Sequence, residues 1–134
     1  MDDPTLRIYM YRIPVSLGEL IDKITILNIK LKYVKDKKKD NLKNEHDLLL
    51  NELSKSSVQI DINFIEELQT INQKLWDLED KIRIKEFKKV FDQEFIELAR
   101  SIYKLNDNRF KKKLEINKKY KSEIFEEKIY HKYN

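Results

Sequence analysis

The sequence contains no cysteine, a single glycine, two prolines and two histidines. Without cysteine there is no disulfide, zinc ribbon, iron–sulfur cluster or thiol nucleophile, and the redox state of the compartment leaves no mark on the chain. One glycine cannot build a Gly-rich phosphate loop, and with only two prolines beside it the turns of a β-sandwich or the period of collagen are out of reach. His46 and His131 stand far apart and outside any HExxH or paired-ligand spacing, so no metal site is expected and both read as solvated side chains. No apolar run approaches about 18 residues, and Asp2 and Asp3 occupy the stretch where a signal peptide would be basic. No membrane contact is therefore expected, and a cytoplasmic location is the default.

What the chain does have is charge. Of its 134 residues 39% are charged and 40% hydrophobic, a balance that suits one soluble domain. The net charge of +4 is unevenly spread: Asp40 to Asp80 holds ten acids and three lysines, whereas Lys104 to Lys121 holds eight bases and two acids. Segments of opposite sign attract across a helix bundle or a dimer interface. The lysines also fit a plainer reading as solvated helix faces.

Residues 1–13 read as an N-terminal arm, with Arg7 to Ile13 a short extended stretch, and residues 14–134 as a single helical domain. Pro14 disfavours helix in the residue before it. Ser16 and Glu19 form a capping box, and Val15 and Leu20 take the two positions of a hydrophobic staple, so a first helix is predicted over Leu17 to Lys35. Its apolar seam is Leu20, Ile24, Leu27, Leu31 and Val34, spaced for burial against other helices. The charged run Lys35 to Asp40 is a connector, and Leu42, Leu49 and Leu53 mark a second, shorter helix ending near Leu53. Asp61 caps a third helix to about Glu86, with Ile60 and Ile65 as staple and Leu68, Ile71, Leu75, Leu78 and Ile82 as seam. Asp92 caps a fourth, Gln93 to Tyr120, stapled by Phe91 and Ile96, and a short last helix is expected after it. Helices of about 20 to 28 residues would be roughly 30 to 40 Å long. The fold class is all-α: an elongated bundle of long antiparallel helices, whose uncovered seam favours a homodimer.

The most informative feature lies in the fourth helix. Its seam of Phe95, Leu98 or Ala99, and Ile102 continues at helical spacing into Asn106, Arg109, Lys113 and Asn117. Burying those groups without partners would cost a few kcal/mol each. They must pair with acids, reach water, or hold an anion. Trp76, Asp77, Asp80 and Arg83 on the third helix and Glu19, Lys23 and Lys30 on the first are placed to converge with them. In the ligand reading, Lys23, Lys30, Trp76, Asp80, Arg83, Asn106, Arg109, Lys113 and Asn117 surround an anionic small molecule or an acidic protein segment. Arg would grip oxygens by its fork and Lys as a movable charge. In the structural reading, Asp77 and Asp80 neutralise Arg109 and Lys113, Trp76 is a core anchor, and the charges set helix pairing in an interaction or scaffold module.

Nucleic acid is not the expected partner. Bases and aromatics interleave from Arg109 to Lys121, but no RNP, KH, zinc-finger or helix-turn-helix signature accompanies them, and the acidic middle repels phosphate. No cofactor is implied. No catalytic residue is assigned, Glu19 or Asp80 beside a lysine coming closest to an acid/base pair.

Pro14, Val15, Ser16, Gly18, Glu19, Leu20, Asp22, Lys23, Thr25, Ile26, Leu27 and Lys30 form a motif of the type PVSxGELxDKxTIL. This opening resembles a family of small uncharacterised bacterial helical proteins, classed as a domain of unknown function. The resemblance continues through Leu75, Trp76, Glu79, Asp80, Ile82 and Arg83, then Asn106, Asp107, Arg109, Lys113, Ile116 and Asn117, and finally Glu127, Lys128 and Tyr130. It spans Ile13 to about Tyr130 and implies a complete single-domain member with an added arm, but no activity. In style the chain is also similar to the all-helical chorismate mutases, which place Arg and Lys around a dicarboxylate. The spacings here do not reproduce that family's pattern, so its activity is not transferred, and a small-metabolite enzyme of that style stands as a third alternative beside the ligand and interaction readings.

Overall fold

Ser16 opens the first helix by accepting a hydrogen bond on its hydroxyl from the Glu19 amide at 3.1 Å. Helix α1 spans Leu17–Tyr33. The other half of the expected capping box does not form, because the Glu19 carboxylate turns to lysines instead. In the computed structural model, which describes residues 9–133, three more helices follow: α2 over Lys38–Lys55, α3 over Ile62–Lys88 and α4 over Gln93–Lys119. Asp61 and Asp92 cap α3 and α4 with their carboxylates, on Asn63 N–H at 2.9 Å and Phe95 N–H at 3.0 Å. Each supplies an acceptor to amides that have no partner inside the helix.

The turn between α3 and α4 is made without glycine. Lys89 takes the left-handed conformation at φ 57°, and the amides of Lys89 and Val90 return to the carbonyls of Glu86 and Lys85. This is a Schellman closure. After Tyr120 the described residues form no helix, so the expected short C-terminal helix is replaced by an irregular segment. Six of the thirteen residues from Lys121 to Tyr133 are charged, and the segment is held to α4 by side-chain contacts of Glu126, Lys128 and Tyr133 instead. Of the N-terminal arm, Tyr9 to Val15 carry no regular structure, while Arg7 and Ile8 lie outside the described residues.

Contacts fix the directions of the helices. Gly18, Glu19 and Asp22 on α1 meet Asn117, Lys113 and Arg109 on α4, so these two run antiparallel. Phe64 meets Tyr120 at one end of α3 and α4, and Lys85 meets Asp92 at the other, which makes an antiparallel hairpin. Among the helices α2 packs on α1 only, with Arg12 of the N-terminal segment paired to its Glu52, and it has no buried residue. The core is a three-helix seam in which Ile21, Leu68 and Ile116 are enclosed, with Phe64, Ile65 and Tyr120 packed on them. Among the described residues no helix is long and apolar enough to cross a membrane.

Helix α1 has 17 residues and α3 and α4 have 27 each, about 25 Å against about 40 Å. The hairpin therefore overhangs. Bonds from α1 reach α3 no further than Trp76 and α4 no earlier than Arg109. The α1 seam is also rotated from expectation: Ile21, Ile24, Leu27 and Ile29 are buried together with Gly18, Asp22 and Thr25, while Leu20, Leu31 and Val34 are half-exposed. A helix covered on two sides, by α3 and α4 and by α2, buries a wider face than a single stripe.

Candidate functional site

At Gly18 the backbones of α1 and α4 approach closely. A Cβ on it would lie 2.6 Å from the Lys113 carbonyl oxygen and 3.0 Å from the Asn117 side chain. Lacking a side chain, Gly18 lets its own amide donate to Asn117 Oδ1 at 2.7 Å. The Leu17 amide donates to Ser122 Oγ at 3.2 Å. Together with the Ser16 cap these bonds satisfy the start of α1 from within the chain.

One turn further on, the Lys113 ammonium is held between two carboxylates. It binds Glu19 Oε2 and, at 3.3 Å, Glu126 Oε2 from the C-terminal segment. The Ser16 hydroxyl donates to the other oxygen of Glu126 at 3.0 Å. Lys23 stands at the margin, 3.6 Å from Glu19.

The next turn holds the most buried charge of the molecule. The Asp22 carboxylate is 0% exposed. Arg109 Nε donates to both of its oxygens, at 3.0 and 3.1 Å, and Nη2 donates to Oδ2. Asn72 Nδ2 from α3 donates to Asp22 Oδ1 and to Thr25 Oγ1, both at 2.8 Å. The Thr25 hydroxyl donates to the Asp22 carbonyl at 2.7 Å. Three helices thus meet on one carboxylate whose lone pairs are all used, the condition under which a buried ion is tolerated. No buried side-chain nitrogen or oxygen among the described residues is left unpartnered. The hydrogen bonds it donates to Asp22 hold the Arg109 guanidinium above its ordinary pKa.

Beside this ladder, α4 and the C-terminal segment enclose an open cleft of about 540 Å³. Asn106, Arg109 and Lys113 line it from α4, and Glu126, Glu127 and Lys128 from the segment. Lys128 Nζ donates to Asp107 Oδ1 at 3.0 Å and lies over the rings of Phe110 and Tyr130. Lys128, aided by the Tyr133 hydroxyl, lowers the Asp107 pKa, and Asp107 in turn raises that of Tyr133. For Arg109 and Asp107 the ionised form is the one favoured. That is the signature of ion pairing, whereas a general acid or base needs a pKa brought toward neutrality.

Of the nine residues expected to surround a ligand, the structure brings together Asn106, Arg109, Lys113 and Asn117, with Lys23 at the edge. Trp76 is elsewhere, stacked on Tyr33 at 5.3 Å and 9° between α1 and α3. Lys30, Asp80 and Arg83 take no part: no bond or ion pair joins them to the ladder among the described residues. Asp77 accepts from Gln73 instead of meeting Arg109. The acids that neutralise the seam are Asp22, Glu19 and Glu126. Asp80 lies on an exposed face of α3 beyond the reach of α1, which explains the difference.

Asp22, Thr25 and Asn72 were legible in principle. Gly18, Asp22 and Thr25 step four and three along α1, and Asn72 sits between Leu68 and Leu75 on the α3 seam, the same interruption of an apolar face that marks α4. Glu126 carries no such signal, because its segment is irregular. Of the histidines, His131 is exposed at the cleft and His46 is half-buried, its Nε2 2.6 Å from Asn28 Oδ1.

A family model matches residues 11–133, a family of unknown function. The chain belongs to that family, DUF6165. No curated protein and no solved structure matches it. Membership spans the described helices and the C-terminal segment alike, so the ladder and cleft lie inside the region that defines the family.

Proposed function

We propose that this DUF6165 chain is a protein-interaction module that associates with a second copy through the overhanging end of the α3–α4 hairpin. The observation that carries this reading is an inversion of the usual surface. The charges of the polar seam are neutralised inside, while Phe87 is 87% and Phe91 58% exposed at the hairpin end, beside the exposed Ile84, Val90 and Ile96. Clustered apolar side chains on a surface mark a contact site. The flanks of the patch are self-complementary: Lys81 to Lys89 holds five bases and one acid, and Asp92 to Glu97 three acids and no base. A two-fold axis lays the basic flank of one copy on the acidic flank of the other. Sedimentation velocity over a wide concentration range tests this. The wild-type chain is expected to dimerise and the Phe87→Ser, Phe91→Ser variant to remain monomeric; a wild-type chain that stays monomeric throughout refutes it.

A second reading keeps the cleft beside α4 as a site for a small anion, favoured by Asn106, Arg109 and Lys113 on one wall. An anion there competes with Glu126 for Lys113. A rise in melting temperature with phosphate or citrate, abolished by Lys113→Met, supports it, since a ligand that binds only the folded state stabilises that state.

A further inference from the structure

We propose that the face of α4 carrying Asp107 and Lys113 is a docking groove for an extended peptide with an acid and a base two residues apart, and that the chain's own segment 123–133, which forms the other wall of the cleft, is its displaceable occupant. The proposal shares the α4 wall with the small-anion reading but does not depend on an anion filling the space between the walls, and it is independent of the hairpin end.

The segment lies in the groove as a peptide ligand would. Residues 120, 122, 124 and 126 are half-buried and residues 121, 123 and 125 exposed, the period of two of an extended chain lying on a surface, and from 127 to 133 the chain is exposed and reaches α4 through the side chains of Lys128 and Tyr133. It runs back along α4: Glu126 meets Lys113, Lys128 meets Asp107, and Tyr133 packs edge-on against Tyr103 at 5.2 Å. Asp107 and Lys113 are six residues apart on α4, about 9 Å along its axis, and alternate residues of an extended chain are about 7 Å apart. Side chains two residues apart therefore reach both charges.

Each charge finds a prepared partner. The carboxylate of Glu126 has the Lys113 ammonium and the Ser16 hydroxyl. The ammonium of Lys128 has the Asp107 carboxylate and the face of Phe110. Asp107 and Lys113 are both buried, whereas Ile129, next to Lys128, is 97% exposed. Reversing the two charges would place like on like.

The attachment is also suited to exchange. Among the described residues, no backbone–backbone hydrogen bond holds 123–133, the last being those of Lys121 and Ser122 at the end of α4. Lys121 turns the chain back with a positive φ of 54°. Recognition thus resides in side chains that a second segment of the same pattern reproduces, and the tether gives the resident copy an effective concentration on the order of millimolar.

The test uses a fluorescent peptide of residues 122–133 and the full-length chain. Loosening the resident segment with Glu126→Gln, Lys128→Met is expected to strengthen binding of the peptide about tenfold over the unmodified chain. A peptide bearing the same two changes is expected to bind the loosened chain about tenfold more weakly than the natural one. Circular dichroism reports whether the double variant keeps its helices. Should it not, a dye on Ile129→Cys in the otherwise unmodified chain, unique because no other cysteine is present, is expected to lose anisotropy when millimolar peptide displaces the segment. Equal binding of natural and charge-free peptides, or an anisotropy that peptide does not change, overturns the proposal. Phosphate and citrate titrations report on the small-anion reading separately, and Phe87→Ser, Phe91→Ser leaves the peptide result unchanged.

Discussion

The near half of the bundle and the far end of its hairpin are opposites. Near α1 polar groups are buried beside the apolar core: Asp22, Thr25 and Asn72 bond one another, and Asn117 accepts from the Gly18 amide. At the far end, apolar side chains stand in water and the ion pairs are outside, Lys85 with Asp92 and Glu94. The difference teaches where specificity and adhesion reside. Apolar burial is indifferent to register, whereas a carboxylate that needs an arginine on α4 and an asparagine on α3 permits one alignment of three helices. The far hairpin needs only one partner helix, and its leftover apolar surface is available to another molecule.

The sharpest way to break this contrast is to remove the buried charge. Asp22→Ala leaves the half-buried Arg109 facing a vacated, fully buried position and is expected to cost about 3–5 kcal/mol in urea unfolding. Joint replacement by Asp22→Leu, Arg109→Met is expected to recover much of that, since it is the uncompensated partner that is costly. A smaller loss, about 1–3 kcal/mol, is expected for Gly18→Ala, because the added methyl meets backbone of α4 and separates the helices.

Acid sharpens the comparison further. The Asp107 pKa is lowered by Lys128, so its contribution is complete above the unfolded carboxylate value near 3.8 and is lost as pH falls below that through the folded one. Fluorescence anisotropy of a dye at position 129 is expected to report release of the C-terminal segment in that acid range while helicity persists. At the opposite limit, the raised Tyr133 pKa makes its bond to Asp107 complete below about pH 10 and lost above it.

The smallest stability effects belong to the far end and to the sites that stand apart. Arg83→Ala and Phe87→Ser are each expected to change unfolding free energy by no more than about 0.5 kcal/mol, the latter lowering self-association instead. A large loss at Arg83 would show that the hairpin end shares the near half's dependence on charge.

Much of the architecture was legible because its signals are local. Ser16, Asp61 and Asp92 announce three helix starts, and the Leu68 to Ile82 seam faces inward as its spacing requires. The polar turn in the α4 seam was legible as well, since Lys113 and Asn117 are buried where helical spacing puts them. Their counter-charges were not. Asp77 and Asp80 were eligible by composition, but which acid reaches Arg109 depends on how far α1 extends along the hairpin.

Alone, then, the sequence determined helices, caps and an inward polar face, because each follows from residues within a few positions of one another. Tertiary structure decided that Asp22 meets Arg109 and Asn72, that Glu126 crosses from an irregular segment to Lys113, and that Trp76 stacks on Tyr33 away from the cleft. These pairings join residues up to 87 positions apart. They are set by the relative lengths and rotations of the packed helices, quantities that no local pattern encodes.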